Sequence, residues 1–398
     1  MNPLLIIGVL ITILTVFILL LIFESVTHSK RLKQIPVRIS VTGSRGKTSV
    51  TRMAASILRE SGKKVLAKTT GTEPVYIYPD GTEHLINRIG QANILEQKRL
   101  IKKAVKMGVD CLLTEIMSIH PENHRIESRK LIKPNHTIIT NFYPDHTDAA
   151  GDEDMVPLYE KDIMDGSNVI LPSGDHVADL KKMLKDTNVS IEVVEGVDYR
   201  EINAKLAGIL AKELGCNDEA IKRGVEKNKM DSGELRAWGM RENGNQVAFI
   251  NCFAANDPFS ASQNIRIINE APDFKNYRRI GLLNLRNDRG DRTLQWLDFL
   301  LGEGRDTFDE LYFSGMHSKA FIRRLGKGNV IKSKDPREIG NTIISNCTKS
   351  SLVYGLVNIG GLGSEMIDFW KTNFKEIDIS PFLTHPYKHT NTNWGVRQ

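Results

Sequence analysis

The residues best suited to chemistry form a short glycine-bounded loop that follows an alternating apolar segment beginning at Val37. Backbone N–H groups in such a loop converge on a phosphate, its lysine neutralises phosphate oxygens, and its Thr hydroxyl can bind Mg²⁺. Val41 stands where the commonest phosphate loop has its first glycine, so this loop is shorter. The pattern predicts binding of ATP or GTP by Gly43, Ser44, Arg45, Gly46, Lys47 and Thr48.

Two further polar features follow apolar segments that are typical of strands. Glu115 ends one such segment and could hold the Mg²⁺ that bridges nucleotide oxygens, although a solvated strand-end glutamate explains it equally well. The segment 140–148 places Asn141, Asp145, His146 and Asp148 after another strand, and taken alone it is more simply a polar turn. Because ligands bind at the carboxyl ends of parallel strands, we expect all three features to meet at one sheet edge.

An arginine cluster follows a later strand. Arg286, Arg289 and Arg292 alternate with two aspartates within seven residues. Guanidinium groups fit carboxylates and phosphates bidentately, so the cluster could bind an anionic substrate. A surface network of salt bridges is the alternative interpretation.

Apolar segments that alternate with helical patterns must position these groups. After Thr48, apolar residues recur at helical spacing until Gly62, and a second helix is predicted from Asn93 to Met107. Strands are predicted at 65–67, 109–113, 137–140 and 169–171, and in a second series at 246–253, 280–285, 311–313 and 352–357. The fold class is therefore α/β with mostly parallel sheets, and we expect a domain boundary near residues 230–236.

The first residues predict a membrane anchor. Residues 4–23 carry no charge and as a helix would span about 30 Å of hydrocarbon. A cleaved secretory signal is the alternative, but no basic segment precedes the apolar stretch and no small-residue cleavage site follows it. Because Lys30, Arg31 and Lys33 follow the span, the positive-inside rule predicts a single-pass protein of the cell membrane with a cytoplasmic body.

Composition excludes other classes. The 398 residues include 54 basic and 48 acidic side chains, and no dense basic run interleaved with aromatic residues is present, which argues against nucleic-acid binding. Four cysteines are scattered without zinc-site spacing, so we expect reduced thiols.

Together, the loop, the strand-end Glu115 and the Thr-Asn-x-x-x-Asp-His-x-Asp segment resemble the Mur ligase family of ATP-dependent amide-forming enzymes. The resemblance implies that Glu115 and His146 hold Mg²⁺ with Thr48, and that Arg236 contacts ATP phosphates. It also implies that Asn256 and Asp257 meet the base and ribose. Lys161 lies near the position of a carbamylated lysine common in that family, but its neighbours do not match the pattern.

Over nearly its whole length, the chain is similar to the ligase subunits of poly-γ-glutamate synthases within that family. The motifs that carry this similarity lie at residues 45–47, 68–72, 251–257, 284–293 and 354–359. The implied arrangement is an anchor (1–24), a basic linker (25–35), a Mur-like ATP-binding domain (36–230), a Rossmann-like ligase domain (231–378) and a polar tail (379–398).

The resemblance implies that glutamate is polymerised through an acyl phosphate with ATP and Mg²⁺, beside other membrane subunits of the synthase. The implied catalytic residues are Lys47, Glu115, His146, Arg286 and Arg289. One alternative is a different Mur-fold ligase, such as folylpolyglutamate synthase or an enzyme of wall precursors. The other is a membrane-tethered NTPase switch or energising subunit without ligase chemistry.

Overall fold

The amino-terminal segment is one long helix, α1 (Pro3–Leu32). Part of it, Ile6–Leu32, is long and apolar enough to cross a membrane by length and composition. The expected basic linker at 25–35 is largely helical instead, because α1 continues to Leu32. The helix does not stop at residue 24 since both Leu32 and Ile35 are buried in a core cluster.

These elements belong to a computed structural model that describes residues 3–71, 74–88, 90, 92–143, 154–196, 199–228, 235–242, 244–255 and 257–379. His146, Asn256 and the tail from residue 380 lie outside the described residues. Two compact units divide the chain, an amino-terminal unit (Met1–Lys229) and a carboxyl-terminal unit (Met230–Gln398).

Within the described residues, the amino-terminal unit contains an eight-stranded sheet in the order β4-β3-β2-β5-β1-β6-β7-β8. Its strands are β1 (Val37–Thr42), β2 (Val65–Lys68), β3 (Val75–Ile77), β4 (Glu83–Leu85), β5 (Cys111–Glu115), β6 (His136–Ile139), β7 (Asn168–Pro172) and β8 (Ser190–Val194). Its helices after α1 are α2 (Lys47–Glu60), α3 (Glu96–Met107), α4 (Pro121–Ile126), α5 (Val156–Glu160), α6 (His176–Met183), α7 (Tyr199–Glu213) and α8 (Asp218–Glu226), and a π-helical turn (Glu127–Ile132) follows α4.

The centre of this sheet is parallel, as the alternation of apolar segments predicts. β1 lies between β5 and β6, with Val41 paired to Glu115 on one side and to Ile138 on the other. Only β3 and β4 add antiparallel pairs. Helix α3 ends at Gly108, whose left-handed φ of 57° suits a residue without a side chain. Because β1 pairs in parallel with both β5 and β6, the carboxyl ends of these three strands lie side by side.

The carboxyl-terminal unit contains a seven-stranded sheet in the order β13-β12-β11-β14-β10-β9-β15 among its described residues. The strands are β9 (Ala237–Glu242), β10 (Asn245–Asn251), β11 (Arg278–Leu285), β12 (Glu310–Gly315), β13 (Asn329–Ile331), β14 (Ser351–Leu356) and β15 (Lys375–Ile377). The helices are α9 (Pro258–Glu270), α10 (Gly290–Leu301), α11 (Ser318–Leu325), α12 (Pro336–Ser345) and α13 (Leu362–Asn373), with a 3₁₀ turn at Pro272–Phe274. Apolar clusters cover both faces of this sheet.

Candidate active site

The phosphate loop joins β1 to α2 and depends on two glycines. Gly43 has a φ of 115° and Gly46 a φ of 78°, both in the left-handed region that favours glycine. A Cβ on Gly43 would overlap Thr140 Oγ1, and one on Gly46 would lie 2.8 Å from Asn203 Nδ2. Both positions therefore require glycine for its backbone conformation and for its small size.

Residues that follow β6 clamp this loop from the side. The Asn141 amide accepts from Arg45 N at 3.1 Å and donates to Arg45 O at 2.9 Å. The Ser44 hydroxyl donates to Tyr143 O and is 2.9 Å from the Tyr159 hydroxyl. Lys47 Nζ lies over the loop, where it donates to Gly43 O at 2.5 Å. The start of the segment 140–148 thus holds the phosphate loop in shape.

Glu115 is 1% exposed at the end of β5, beside the loop. Thr70 donates to Oε2 of Glu115 from both its backbone N (2.8 Å) and its hydroxyl (2.6 Å). Oε1 is buried and has no hydrogen-bond partner among the described residues. Such an atom is costly unless something else binds it.

Electrostatics link this carboxylate to the loop. Burial raises the pKa of Glu115 above its ordinary value, and hydrogen bonds from Thr70 oppose that rise. The charge of Lys47 and the Thr48 hydroxyl also act to lower this pKa. Val41, two residues before Gly43 of the loop, pairs with Glu115 across β1 and β5, and Lys47 Nζ donates to Gly43 O. The structure therefore brings Lys47, Thr48 and Glu115 together.

This donor set suits a hard divalent cation. A carboxylate oxygen without a protein partner and a Thr hydroxyl are ligand types that Mg²⁺ binds, together with nucleotide phosphates. No group of three or more His, Cys, Asp or Glu residues that could hold a metal is found in the described part of the chain. A site that shares its metal with phosphates needs fewer protein ligands, so Thr48 and Glu115 fit the ion.

A buried His–Asp pair beneath the loop has no counterpart in the sequence predictions. His124 Nδ1 lies 2.9 Å from Asp162 Oδ2, and that oxygen also accepts from Thr42 Oγ1 at 2.6 Å. Burial disfavours a charged ring, but the Asp162 carboxylate raises the pKa of His124 above its ordinary value. Because Thr42 directly precedes the loop, the pair supports the residue from which the loop starts. No local motif marks it, since the partners are 38 positions apart.

The predicted arginines lie in the carboxyl-terminal unit. Arg286 forms a bidentate ion pair with Asp288, with contacts of 2.9 and 2.8 Å, and its guanidinium lies against Gly360. Arg289 is half-buried at the start of α10. The Arg286–Asp288 ion pair is of the kind expected in a surface network of salt bridges, and anion binding by the cluster stays a prediction.

Behind this cluster, an amide pair joins the ends of β11 and β14. Asn284 Nδ2 donates to Asn358 O at 2.8 Å, and Asn358 Nδ2 donates to Asn284 O at 2.9 Å. Arg292 donates to Asn358 Oδ1 at 2.9 Å. Val357 has a φ of 81°, a strained conformation for a β-branched residue. Strain of this kind concentrates at functional sites.

Two residues that are predicted to contact the nucleotide, Arg236 and Asp257, have local partners in the same unit. Arg236 donates to Glu376 Oε1 at 2.8 Å and stacks over Trp238. Asp257 accepts from Ser260 N at 2.8 Å and so caps α9. Lys161, left out of the predicted site, donates to Pro157 O at 2.8 Å. The predicted nucleotide roles of Arg236 and Asp257 stay predictions.

Comparison with known families agrees with this arrangement. Residues 41–212 match the Mur ligase middle domain, and residues 238–373 match the poly-gamma-glutamate synthase CapB C-terminal domain. The first match contains the phosphate loop and Glu115, and the second contains the arginine cluster.

Two curated relatives are named CapB. The chain is 31% identical to the capsule biosynthesis protein CapB of Bacillus anthracis, over 71% of this chain and 65% of that protein. It is 27% identical to the PGA synthase CapB of Bacillus subtilis, over 87% of this chain and 93% of that protein. The match thus spans slightly less than two thirds of the first relative and nearly all of the second.

Solved structures of low identity share the fold. A bifunctional folylpolyglutamate synthase/dihydrofolate synthase from Yersinia pestis, complexed with AMPPNP and a Mn ion, gives a TM-score of 0.65 at 14% identity, covering 87% of this chain and 92% of that chain. MurF from Acinetobacter baumannii gives 0.59 at 16% identity, covering 86% and 79%. The predicted fold class and family resemblance are confirmed. The chain carries a Mur ligase middle domain followed by a C-terminal domain of the poly-γ-glutamate synthase CapB type, and the two curated relatives are CapB proteins.

Proposed function

We propose that this chain polymerises glutamate into poly-γ-glutamate with ATP and Mg²⁺, at the cytoplasmic face of a membrane that α1 crosses. The observation that carries the chemistry is the meeting of Lys47, Thr48 and Glu115 at one sheet edge, with a buried oxygen of Glu115 unpartnered among the described residues. The names of the two CapB relatives support the choice of polymer.

The γ-carboxylate of a glutamate attacks the γ-phosphorus of ATP, which breaks the bond to the β-phosphate oxygen and yields an acyl phosphate and ADP. The amine of a second glutamate then attacks the acyl carbon, forms the amide, releases phosphate and loses a proton. This activation is needed because a free carboxylate is a poor acyl donor. No covalent bond to the protein forms.

Each proposed residue has a defined part in this chemistry. Lys47 neutralises the phosphoryl group during transfer, and the loop N–H groups orient it. Thr48, Glu115 and His146 would hold Mg²⁺, whose charge would offset the negative charge that grows on the transferred group. Arg286 and Arg289 bind the anionic glutamate, while the nucleotide contacts are Arg236, Asn256 and Asp257.

The membrane location follows from the same proposal. The helix α1 anchors the chain through residues 4–23 and leaves the body in the cytoplasm, where ATP and glutamate are available. Other membrane subunits of the synthase are the expected partners, since a polymer made inside must be exported. The subunits are inferred from the family resemblance, and the orientation is inferred from the positive-inside rule.

The test uses the full chain, purified with its membrane subunits, and labelled L- or D-glutamate. We expect ADP and phosphate release to depend on glutamate and Mg²⁺, and the product to contain γ-linked amides. Lys47→Ala should abolish incorporation, and Lys63→Ala, just beyond the far end of α2, is the matched control. ATP turnover that ignores glutamate would favour the NTPase switch, and incorporation only onto a folate acceptor would favour the other ligase.

A further inference from the structure

We propose that the carboxyl edge of the amino-terminal sheet rests on the lipid headgroups of the membrane that α1 crosses. This edge is formed by the ends of β1, β2 and β5 and includes the phosphate loop. The inference deepens the proposed function, because it rests on α1 being a membrane anchor.

The inner end of α1 is fixed at the opposite edge, where the strands begin. Leu32 and Ile35 are 4% and 1% exposed and pack in one cluster with Val109, which precedes β5. The Arg38 guanidinium, near the start of β1, donates to Leu32 O at 3.2 Å and to Ile35 O at 2.7 Å. Burial of these two aliphatic side chains stabilises the attachment.

Going back along α1, two contacts bind it to the same unit. The buried His28 Nε2 lies 2.8 Å from Leu131 O in the π-helical turn. Eight residues before Leu32, Glu24 forms an ion pair of 2.8 Å with Lys98, in the first turn of α3. Eight helical residues rise about 12 Å, which is comparable to the length of β5. The helix therefore runs alongside the sheet rather than away from it.

The first turn of α3 marks the carboxyl edge. Glu96 forms an ion pair of 3.1 Å with Lys68, the last residue of β2. Gln97 Oε1 accepts from Thr114 Oγ1 at 3.2 Å, and Thr114 precedes Glu115 at the end of β5. Glu24 is thus level with the catalytic edge of the sheet.

From Glu24 outward, the apolar residues 4–23 begin. Their length of about 30 Å matches the hydrocarbon layer, so the headgroups lie near the level of Glu24 and Lys98. Two large apolar side chains are exposed at the same edge: Leu95, 51% exposed directly before α3, and Ile119, 40% exposed shortly after β5. Exposed apolar groups beside a lysine fit an interfacial surface that carries anionic lipid.

The orientation has a functional consequence. The groups that handle phosphate open towards the bilayer, so the growing chain is made close to the membrane that it must cross. A body hanging from a flexible linker would have no such preference.

The experiment measures the depth of two positions on one helix. The full chain carrying Leu95→Cys or Lys106→Cys is labelled with a fluorophore and reconstituted into phosphatidylcholine/phosphatidylglycerol nanodiscs that contain a headgroup-linked nitroxide quencher. The two positions lie at opposite ends of α3, about 16 Å apart. We expect the label at 95 to lose most of its fluorescence and the label at 106 to lose little. Equal quenching, or stronger quenching at 106, would overturn the inference.

A second variant tests whether the docking of α1 sets this orientation. Glu24→Ala is a poor choice, because an exposed ion pair contributes little to stability. A Gly-Ser linker inserted between Phe23 and Glu24 keeps the anchor but uncouples the body. We expect the difference between positions 95 and 106 to disappear, and its persistence would contradict the inference.

Glutamate-dependent ATP turnover is measured in the same nanodiscs, assembled with the membrane subunits of the synthase. If the quenching difference is found without turnover, the proposed reaction is contradicted and the orientation is supported. If turnover is found without the quenching difference, the orientation is contradicted and the proposed reaction is supported.

Discussion

Thr70 and Glu115 form a two-point contact in which both donors of Thr70 reach the same carboxylate oxygen. The backbone N and the hydroxyl of Thr70 lie 2.8 and 2.6 Å from Oε2, so that Oε1 is left buried without a hydrogen-bond partner in the described part of the chain. The carboxylate is thus oriented by the protein before a ligand arrives. Such preorganisation lowers the cost of binding a cation.

Glu115→Gln should separate metal binding from folding. The amide oxygen can still accept from Thr70, but the charge that holds a divalent cation is lost. We expect Mn²⁺ binding, measured by electron paramagnetic resonance in the presence of ADP, to weaken by at least about tenfold, as for loss of 1.4 kcal/mol. Glu127→Gln is the matched control, because both oxygens of that buried carboxylate already have donors. Unchanged Mn²⁺ affinity in Glu115→Gln would contradict the metal role.

The metal-free chain should lose stability as pH rises, in part because of Glu115. Burial raises the pKa of Glu115 in the folded state, so the folded chain holds this proton at pH values where the unfolded chain has released it. This contribution is complete below the ordinary carboxyl pKa and is lost as pH rises through the raised value. Thermal unfolding of the parent and Glu115→Gln in EDTA should therefore diverge with increasing pH, the parent falling faster. Parallel pH profiles would rule this out.

Gly43→Ala should damage the loop more than an alanine at another left-handed glycine. Gly62 has a φ of 85° and open space around its Cβ position, so Gly62→Ala should cost only about 1–2 kcal/mol of backbone strain. At Gly43, the Cβ would also overlap Thr140. We expect a larger loss in urea denaturation and loss of ATP binding by calorimetry. Equal costs at both positions would show that the loop relaxes freely.

His124→Ala should destabilise the chain and weaken nucleotide binding. Asp162 is fully buried, and removal of one partner from a buried pair costs about 3–5 kcal/mol. Lys205→Ala, which breaks a partly exposed pair with Glu201 on one helix, should cost about 0.3–0.5 kcal/mol. Urea denaturation measures both. Because Asp162 also binds Thr42, ATP affinity should fall in His124→Ala but not in Lys205→Ala; normal affinity in a folded His124→Ala protein would confine the pair to a structural role.

Arg286→Ala tests whether the arginine cluster binds the anionic substrate. Its pair with Asp288 is substantially exposed, so exchange of this partner for a substrate carboxylate costs little. Loss of a charge-assisted hydrogen bond of about 1.5–3 kcal/mol should raise the KM for glutamate about 10–100-fold. Arg279→Ala, which breaks a similar pair with Asp309 at the start of the same strand, is the matched control. An equal rise in both variants would remove Arg286 from the substrate site.

Local patterns predict much of this protein. The strand, loop and helix around Lys47 follow from alternating apolar residues, two glycines and helical spacing, which act between near neighbours in the chain. The parallel centre of the first sheet follows for the same reason, and Glu115 could be singled out because it ends an apolar strand. The family motifs then restricted the chemistry.

Tertiary structure decided what the patterns could not. Thr70 lies 45 residues from Glu115, and His124 lies 38 residues from Asp162, so no periodicity connects them. Much of the segment expected to be a linker is helical, because Leu32 and Ile35 pack in a core cluster. Local composition does not encode this packing. By itself, the sequence determined which elements form and which residues bear chemistry. Only the packing of distant segments decided which oxygen of Glu115 has no hydrogen-bond partner in the described part of the chain and how α1 meets the sheet, since burial and hydrogen bonding depend on neighbours in space.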